Sequence, residues 1–193
     1  MSKKVLVACE YSQIVMSAFL KVGADAYSCD IIDTTGPYPE RHYKMDALKC
    51  IQQDNWDLVI AHPPCTYLSN VTAPLIKPKG IVNFDRLLQM ISAKNFFLKF
   101  FEVYTGKLCV ENPRALTMAE LPPYTQIINP VDFGSKYHKF ICLWLRDLPP
   151  LLPTHARINN SLSWHYTHNG GHKRSQFFVE VAKAMAEQWY PLL

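Results

Sequence analysis

The chain has 193 residues, of which 49% are hydrophobic and 19% charged, and its formal net charge is +4. This balance is typical of a globular protein of one domain with enough apolar residues for a sizeable core. No apolar run approaches the ~20 residues that span a membrane, and residues 1–4 lead into only a short apolar run. We therefore expect neither a membrane protein nor a signal peptide. The mildly basic charge is compatible with a polyanionic partner such as nucleic acid, and equally with an ordinary soluble enzyme.

The first 30 residues predict a strand, a helix and a second strand. Lys4–Ala8 is a short apolar run that ends in a polar cluster, and apolar residues at helical spacing follow over 14–22, closed by Gly23. Residues 26–29 then form a second strand that ends on Asp30. This alternation is typical of the opening of a doubly wound α/β domain.

The same alternation continues to residue 113. A short helix is predicted over 47–53, a buried parallel strand over 56–61, a long helix over 84–104 and a strand over 107–110. Each of the predicted strands ends in a polar or reactive group. In open parallel sheets ligands bind outside the carboxyl ends of the strands, so we expect four side chains to converge there: Glu10, Asp30, Cys65 and Glu111.

The pattern changes after residue 113. Residues 126–128 and 139–145 look like two strands, which we predict to form one hairpin on the edge of the sheet. Residues 146–173 are rich in Pro, Asn, His and Gly and are predicted to be a substrate-side loop region. A closing helix is predicted over 175–189, with one apolar face.

Cys65 is the first candidate for chemistry. It follows two prolines at the predicted end of a strand, which fixes it in a partly open position. A thiolate nucleophile needs exposure and surroundings that favour negative charge. The alternative is an inert, buried cysteine, which is common. With no CxxC pair among the six cysteines, we expect reduced thiols and a cytoplasmic protein.

Glu111 is the second candidate, because it ends the predicted neighbouring strand. The alternative is a surface turn, since an Asn-Pro dipeptide such as Asn112-Pro113 is common in turns. Carbon 5 of a pyrimidine is a poor nucleophile until a thiolate adds at carbon 6. An acid must then hold or protonate ring nitrogen 3 as charge develops there. A Cys and a Glu on adjacent strand ends are the pair that this reaction requires.

These residues resemble motifs of the DNA cytosine-5 methyltransferase family. Residues 57–69 resemble its Pro-Pro-Cys motif, 110–112 its Glu-Asn-Val motif, and 174–176 its closing Gly-Asn-Ser motif. The matches occur in family order over nearly the whole chain, and the compact pattern is similar to short phage-encoded relatives that lack a target-recognition domain. The resemblance implies a Rossmann-like, mostly parallel methyltransferase fold, with residues 1–193 as a single catalytic domain in a bacterial host or phage-infected cell.

The resemblance also implies a cofactor and a set of site residues. The implied cofactor is S-adenosylmethionine. In the implied reaction Cys65 adds to carbon 6, Glu111 assists at nitrogen 3, and carbon 5 takes the methyl group; cytosine is the expected base and uracil the second choice. The implied cofactor-binding residues are Cys9, Glu10, Tyr11, Ser12, Asp30, Ile31, Asp46, Ala47, His62 and Ser175. The implied substrate-binding residues are Pro63, Pro64, Tyr67, Asn112, Lys139 and Arg174.

The chain departs from the family at two motifs. The family's first loop is Gly-rich, whereas residues 9–13 contain no glycine, so side chains must replace backbone contacts there. The family's basic Gln-x-Arg-x-Arg strand is also missing, and the nearest substitutes are Lys136, His138 and Lys139. The expected partner is DNA or a pyrimidine nucleotide, and a homodimer is one way for so short a chain to engage a duplex.

Two other readings of the sequence stay open. The chain could be a binding module of methyltransferase type that sequesters a nucleotide or cofactor, or blocks a host defence protein. Methylation of an amino group is the weaker alternative, because those enzymes carry an acidic residue or Asn before Pro-Pro. Trp164 and Tyr166 are candidates to stack on a base. The histidines at 155, 165, 168 and 172 lack the spacing of a ligand motif, and we expect no metal.

Overall fold

The computed structural model describes residues 2–156, 161–163 and 176–193. Its helices are α1 (Ile14–Lys21), α2 (Ala47–Ile51), α3 (Phe84–Val103) and α4 (Val179–Trp189). Its strands are β1 (Lys4–Ala8), β2 (Asp25–Asp30), β3 (His42–Lys44), β4 (Leu58–Ala61), β5 (Lys107–Pro113), β6 (Gln126–Ile128), β7 (Tyr137–His138), β8 (Ile141–Arg146) and β9 (Leu162–Ser163).

The central sheet has seven strands in the order β3-β2-β1-β4-β5-β8-β6. The strands from β3 to β5 run parallel, and β8 runs antiparallel to both of its neighbours. The chain begins in the middle of the sheet, builds outward to β3 and then returns to add β4 and β5 on the other side. The predicted doubly wound, mostly parallel, Rossmann-like α/β fold is confirmed.

Apolar side chains cover both faces of this sheet. On one face the core includes Phe19 of α1 and Trp189 of α4, both fully buried. On the other face Phe97 and Phe100 of α3 pack against β4 and β5, together with residues of α2. The phenylalanine-rich face of α3 is therefore core, as its helical spacing predicts. Within the described residues no helix combines the length and apolar character needed to cross a bilayer.

The predicted hairpin at the edge of the sheet is confirmed. β6 and β8 pair as antiparallel strands at one end of the sheet, with β8 as the inner strand beside β5 and β6 as the edge strand. The physical reason is burial, since Ile141 to Trp144 are all buried whereas β6 has only one buried residue. Because β8 runs against β5, Ile141 pairs with Pro113. The residues just before β8 therefore lie beside the carboxyl end of β5.

Candidate active site

A row of side chains leaves the carboxyl ends of four adjacent parallel strands. The last register partners are Ala8 with Cys29, Ala8 with Ala61, and Ala61 with Val110. Neighbouring parallel strands in register present their next residues side by side. Those next residues, in sheet order, are Asp30, Cys9, His62 and Glu111. This row contains two of the four side chains that the sequence predicts to converge, Asp30 and Glu111, and adds Cys9 and a histidine beside Glu111.

The loop that carries Cys65 is fixed at both ends. Its first residue continues the sheet for one more bond, because the His62 amide donates to the Ala8 carbonyl over 3.0 Å. The buried Asn112 side chain donates from Nδ2 to the Pro63 carbonyl over 3.3 Å. The Cys65 carbonyl accepts from the Leu68 amide, which closes a turn after the cysteine. Asn112, predicted to contact substrate, therefore ties β5 to the Cys65 loop.

The charges around Cys65 act in opposite directions. The thiol is half-buried, and burial raises its pKa, as does the negative charge of Glu111. Lys139, two residues before β8, lowers the pKa of the thiol. The net shift of the pKa is upward, so the surroundings do not favour a thiolate in the free protein, contrary to the expectation from the motif. Burial is the larger cause of this rise in pKa, and the charge of the carboxylate expected to serve nitrogen 3 adds to it.

Glu111 is paired with His62. Its Oε2 lies 3.2 Å from His62 Nδ1, and the two side chains are 11% and 12% exposed. The His62 ring packs against the ring of Phe177, with centroids 4.8 Å apart. Nε2 of His62 is buried and has no hydrogen-bond partner within the described part of the chain. His62 is predicted to bind the cofactor, yet its ring turns toward the predicted catalytic acid.

The side chain of Glu10 caps the start of α1. Its two carboxylate oxygens accept hydrogen bonds from the amides of Val15 and Met16, over 2.7 and 3.1 Å. Gln13, the residue before the helix, makes no such bond itself and has a positive φ of 59°. Burial raises the pKa of Glu10, while the attraction of His62 and the amide bonds lower it. A side chain thus satisfies the amides at a helix start, which accounts for a first loop without glycine.

The loop after β2 folds back over this region through Gln13. The Gln13 side chain donates to the Tyr38 carbonyl over 2.8 Å and to Ser28 Oγ over 3.1 Å, and it accepts from the Tyr38 amide over 2.9 Å. Gly36 lies so close that a Cβ there would approach Gln13 Oε1 to 2.4 Å. Only glycine permits this approach without movement, so the loop closes tightly on the start of α1.

Most of the residues predicted to bind the cofactor follow β1, β2 and β3, whereas His62 follows β4. The charges of Asp30 and Asp46 add to burial in raising the pKa of Cys9, which places the thiol beside both carboxylates. The side chain of Asp46 accepts from the Lys49 amide at the start of α2, where Ala47 is buried. Ile31 is 72% exposed, which leaves an apolar surface next to Asp30.

These residues fit the adenosyl part of S-adenosylmethionine. A carboxylate at the end of the second strand suits the ribose hydroxyls, and an exposed aliphatic side chain beside it suits the face of the adenine. The carboxylate of Glu10 occupies the amide donors of Val15 and Met16. The start of α1 therefore does not offer the anion site that a dinucleotide phosphate uses. Tyr11 and Ser12 are half-buried in the connecting loop.

Two aromatic side chains near Cys65 and Glu111 each pack against an arginine. The Arg86 guanidinium lies 4.5 Å from the centre of the half-buried Tyr67 ring and also donates to the Thr66 carbonyl over 2.9 Å. Arg114 lies 5.0 Å from the centre of the exposed Phe140 ring. One member of each cation–π pair, Tyr67 or Arg114, follows a predicted catalytic residue within three positions. A cleft of about 330 Å³ beside the loop is lined by Pro64, Tyr67, Gln89, Ser92, Ala93 and Phe96.

Sequence reasoning misses part of this constellation. It does not single out Arg86, Arg114 or Phe177, and it does not pair His62 with Glu111. Each of these two residues directly follows the apolar run of its predicted strand, and this shared position is the signal that could have shown the pairing. Arg174 and Ser175 lie outside the described residues, as do Trp164 and Tyr166 and the histidines at 165, 168 and 172.

The sequence matches no protein-family model, and no curated protein matches it. Among solved structures, a triple alanine mutant of DNMT2 from Spodoptera frugiperda is similar, with 13% sequence identity and a TM-score of 0.41. The match covers 80% of this chain and 54% of that one, so the chain spans about half the length of that structure. The assignment of the site therefore depends on the residues of this chain.

The buried Glu10 predicts an unusual dependence of stability on pH. A carboxyl whose folded pKa is raised binds its proton more tightly when folded, so its contribution is fully present below its unfolded pKa of about 4.3. The contribution is lost as the pH rises through the folded value. Glu10→Gln removes this titration. Urea unfolding at several pH values should show the wild type losing stability relative to the variant as the pH rises. A difference that does not change with pH would contradict this prediction.

Proposed function

We propose that the protein transfers a methyl group from S-adenosylmethionine to carbon 5 of cytosine through a covalent adduct with Cys65. The observation that carries the proposal is the position of Cys65 within electrostatic reach of Glu111, at the ends of neighbouring strands. A nucleophilic thiol and an acid on neighbouring strand ends can act on carbon 6 and nitrogen 3 of one pyrimidine ring, which lie across the ring from each other. The substrate is cytosine in DNA or in a pyrimidine nucleotide.

Cys65 must lose its proton as it attacks carbon 6. Because Glu111 raises the pKa of the thiol, the sulfur ionises most readily when a proton moves onto that carboxylate or onto the bound base. Glu111 then holds the proton at nitrogen 3 while electron density builds on carbon 5. Lys139 stabilises the thiolate by its charge, and Asn112 keeps the Cys65 loop against β5 through the Pro63 carbonyl.

The cofactor would be held by the residues at the ends of β1 to β3. Asp30 would bind the ribose hydroxyls, Asp46 would face the adenine amino group, and Ile31 would cover the ring. When bound, S-adenosylmethionine supplies an electrophilic methyl group. The release of Cys65 needs a base to remove the proton from carbon 5 after transfer, which restores the aromatic ring.

The proposal predicts labelling of one class of substrate. The protein is incubated with S-adenosylmethionine labelled in the methyl group, together with duplex DNA, single-stranded DNA, RNA or free pyrimidine nucleotides. We expect label in 5-methylcytosine from at least one of them, identified by digestion and mass spectrometry. Label in an amino group would instead support the alternative chemistry, and no transfer to any substrate would exclude methylation.

A binding module is the second candidate, favoured by the raised pKa of Cys65. A thiol that is mostly protonated in the free protein is compatible with a site that only binds a nucleotide or cofactor. The two candidates differ in their dependence on the sulfur. If Cys65→Ala leaves the biological effect and the ligand affinity unchanged, the binding role is supported and the enzymatic role is not.

A further inference from the structure

His62 stands between two carboxylates that belong to different parts of the site. Its Nδ1 lies 3.2 Å from Glu111 Oε2 at the end of β5. Burial raises the pKa of Glu10, whose oxygens accept hydrogen bonds from the start of α1, and the attraction of His62 offsets part of that rise. Hydrogen-bond donors and carboxylates therefore alternate across the site. The amides of α1 are followed by Glu10, then by His62, then by Glu111, and Lys139 lies beyond. A side chain at 62 that lacked a hydrogen-bonding group in this position would leave Glu111 Oε2 without this partner.

The ring of His62 is held in one orientation. Phe177, just before α4, packs on it at 4.8 Å between ring centres, and the backbone amide of His62 donates to the Ala8 carbonyl. The ring is 12% exposed, and Nε2 is enclosed without a partner among the described residues. Nδ1 is the ring nitrogen that faces an acid. A proton on Nδ1 therefore has one destination, the Oε2 atom of Glu111.

We propose that His62 positions Glu111 and holds the proton that Glu111 passes to nitrogen 3 of the pyrimidine. This inference rests on the proposed Cys65 chemistry. As the Sγ–H bond of Cys65 breaks and gives its proton to water, Sγ bonds to carbon 6 and the proton of Glu111 moves to nitrogen 3. The Nδ1 proton of a doubly protonated His62 then moves to Glu111, which leaves a neutral ring with its proton on Nε2. When the adduct collapses, the bond to sulfur breaks, the proton leaves nitrogen 3 and the pair is protonated again. No oxidant or further reactant is needed.

The test uses exchange of the carbon 5 proton, which requires the adduct and not the methyl group. Cytosine labelled with tritium at carbon 5, in an oligonucleotide and in the free nucleotide, is incubated with the full chain, and release of tritium to water is measured against pH. In His62→Asn, the amide nitrogen takes the place of Nδ1 and keeps the hydrogen bond, but it cannot supply a proton. His42→Asn is the matched control, because this histidine on β3 bonds to Ser28 at the far side of the sheet.

We expect His62→Asn to slow exchange by about 100-fold, within the range for loss of an acid–base partner. The fall of the rate at alkaline pH should begin at lower pH than in the wild type, because only Glu111 then holds the proton. His42→Asn should match the wild type. An unchanged rate and pH profile in His62→Asn would overturn the inference alone. So would a slower rate with an unchanged profile, since that reports positioning only. Absence of exchange in the wild type would overturn the proposed function as well.

Discussion

Replacing Cys65 with Ala is expected to abolish release of tritium from carbon 5 of cytosine and methyl transfer alike. Without the sulfur, carbon 6 receives no nucleophile, and carbon 5 never gains the electron density that both reactions need. Loss of a nucleophile costs about a thousandfold or more in rate. Tritium release and labelled methyl transfer, measured on the same substrate, should fall together. Intact mass spectrometry should also show no adduct with a 5-fluorocytosine substrate, whose fluorine prevents release of the enzyme.

Cys50→Ala is the matched control for this change. Cys50 is a free cysteine buried in α2, and its side chain interacts with Cys29 of β2, so the same atoms are removed from the core and not from a strand end. Its variant should keep both activities and form the adduct. Exchange or transfer at the wild-type rate in Cys65→Ala would show that the sulfur is not the nucleophile, and a different residue would have to be sought.

The positions of the strand ends could be predicted from the sequence because each depends on a local pattern. Apolar runs of four to six residues followed by polar or proline residues predict β1, β2, β4 and β5. Placing the polar residues that follow them at one edge needs only the rule that parallel strands share a carboxyl end. The approach of Cys65 to Glu111 follows from these two steps.

The pairing of His62 with Glu111 depends on register, which no local pattern contains. The two residues are 49 positions apart and meet only because Ala61 pairs with Val110. A slip of one residue would turn Glu111 to the opposite face of the sheet. The sequence shows that both residues follow strands, but not that those strands are aligned to the residue.

Lys139 reaches the site for a reason that chain order hides. The sequence predicts a hairpin of β6 and β8 but does not tell which strand joins β5. Insertion of β8 beside β5, in the antiparallel sense, brings the start of β8 to the end of β5. The lysine two residues earlier therefore acts on the Cys65 thiol. The role of Glu10 is also hidden in the sequence. Its side chain accepts hydrogen bonds from amides of α1 in a loop where Cys9 and Gln13 have positive φ, and no local pattern predicts that conformation.

Replacing Glu111 with Gln is expected to change two properties of Cys65 in opposite directions. The negative charge of Glu111 raises the pKa of the thiol, so the neutral amide lowers it and increases the thiolate fraction. Alkylation of Cys65 by iodoacetamide at about pH 8, below the usual pKa of a cysteine, should therefore become severalfold faster. Exchange at carbon 5 should become about 100-fold slower or more, because the amide cannot pass a proton to nitrogen 3.

Lys139→Met completes the comparison, since Lys139 lowers the pKa of the same thiol. The variant should be alkylated more slowly than the wild type at the same pH, and the rates are read from the Cys65 peptide by mass spectrometry. A variant of Glu111 that speeds alkylation yet loses exchange separates the two roles of this carboxylate. That result would show that Glu111 disfavours the Cys65 thiolate in the free protein and donates a proton to nitrogen 3 once the base is bound. If alkylation and exchange both fell in Glu111→Gln, the carboxylate would be a structural partner of His62 and not the acid of the reaction.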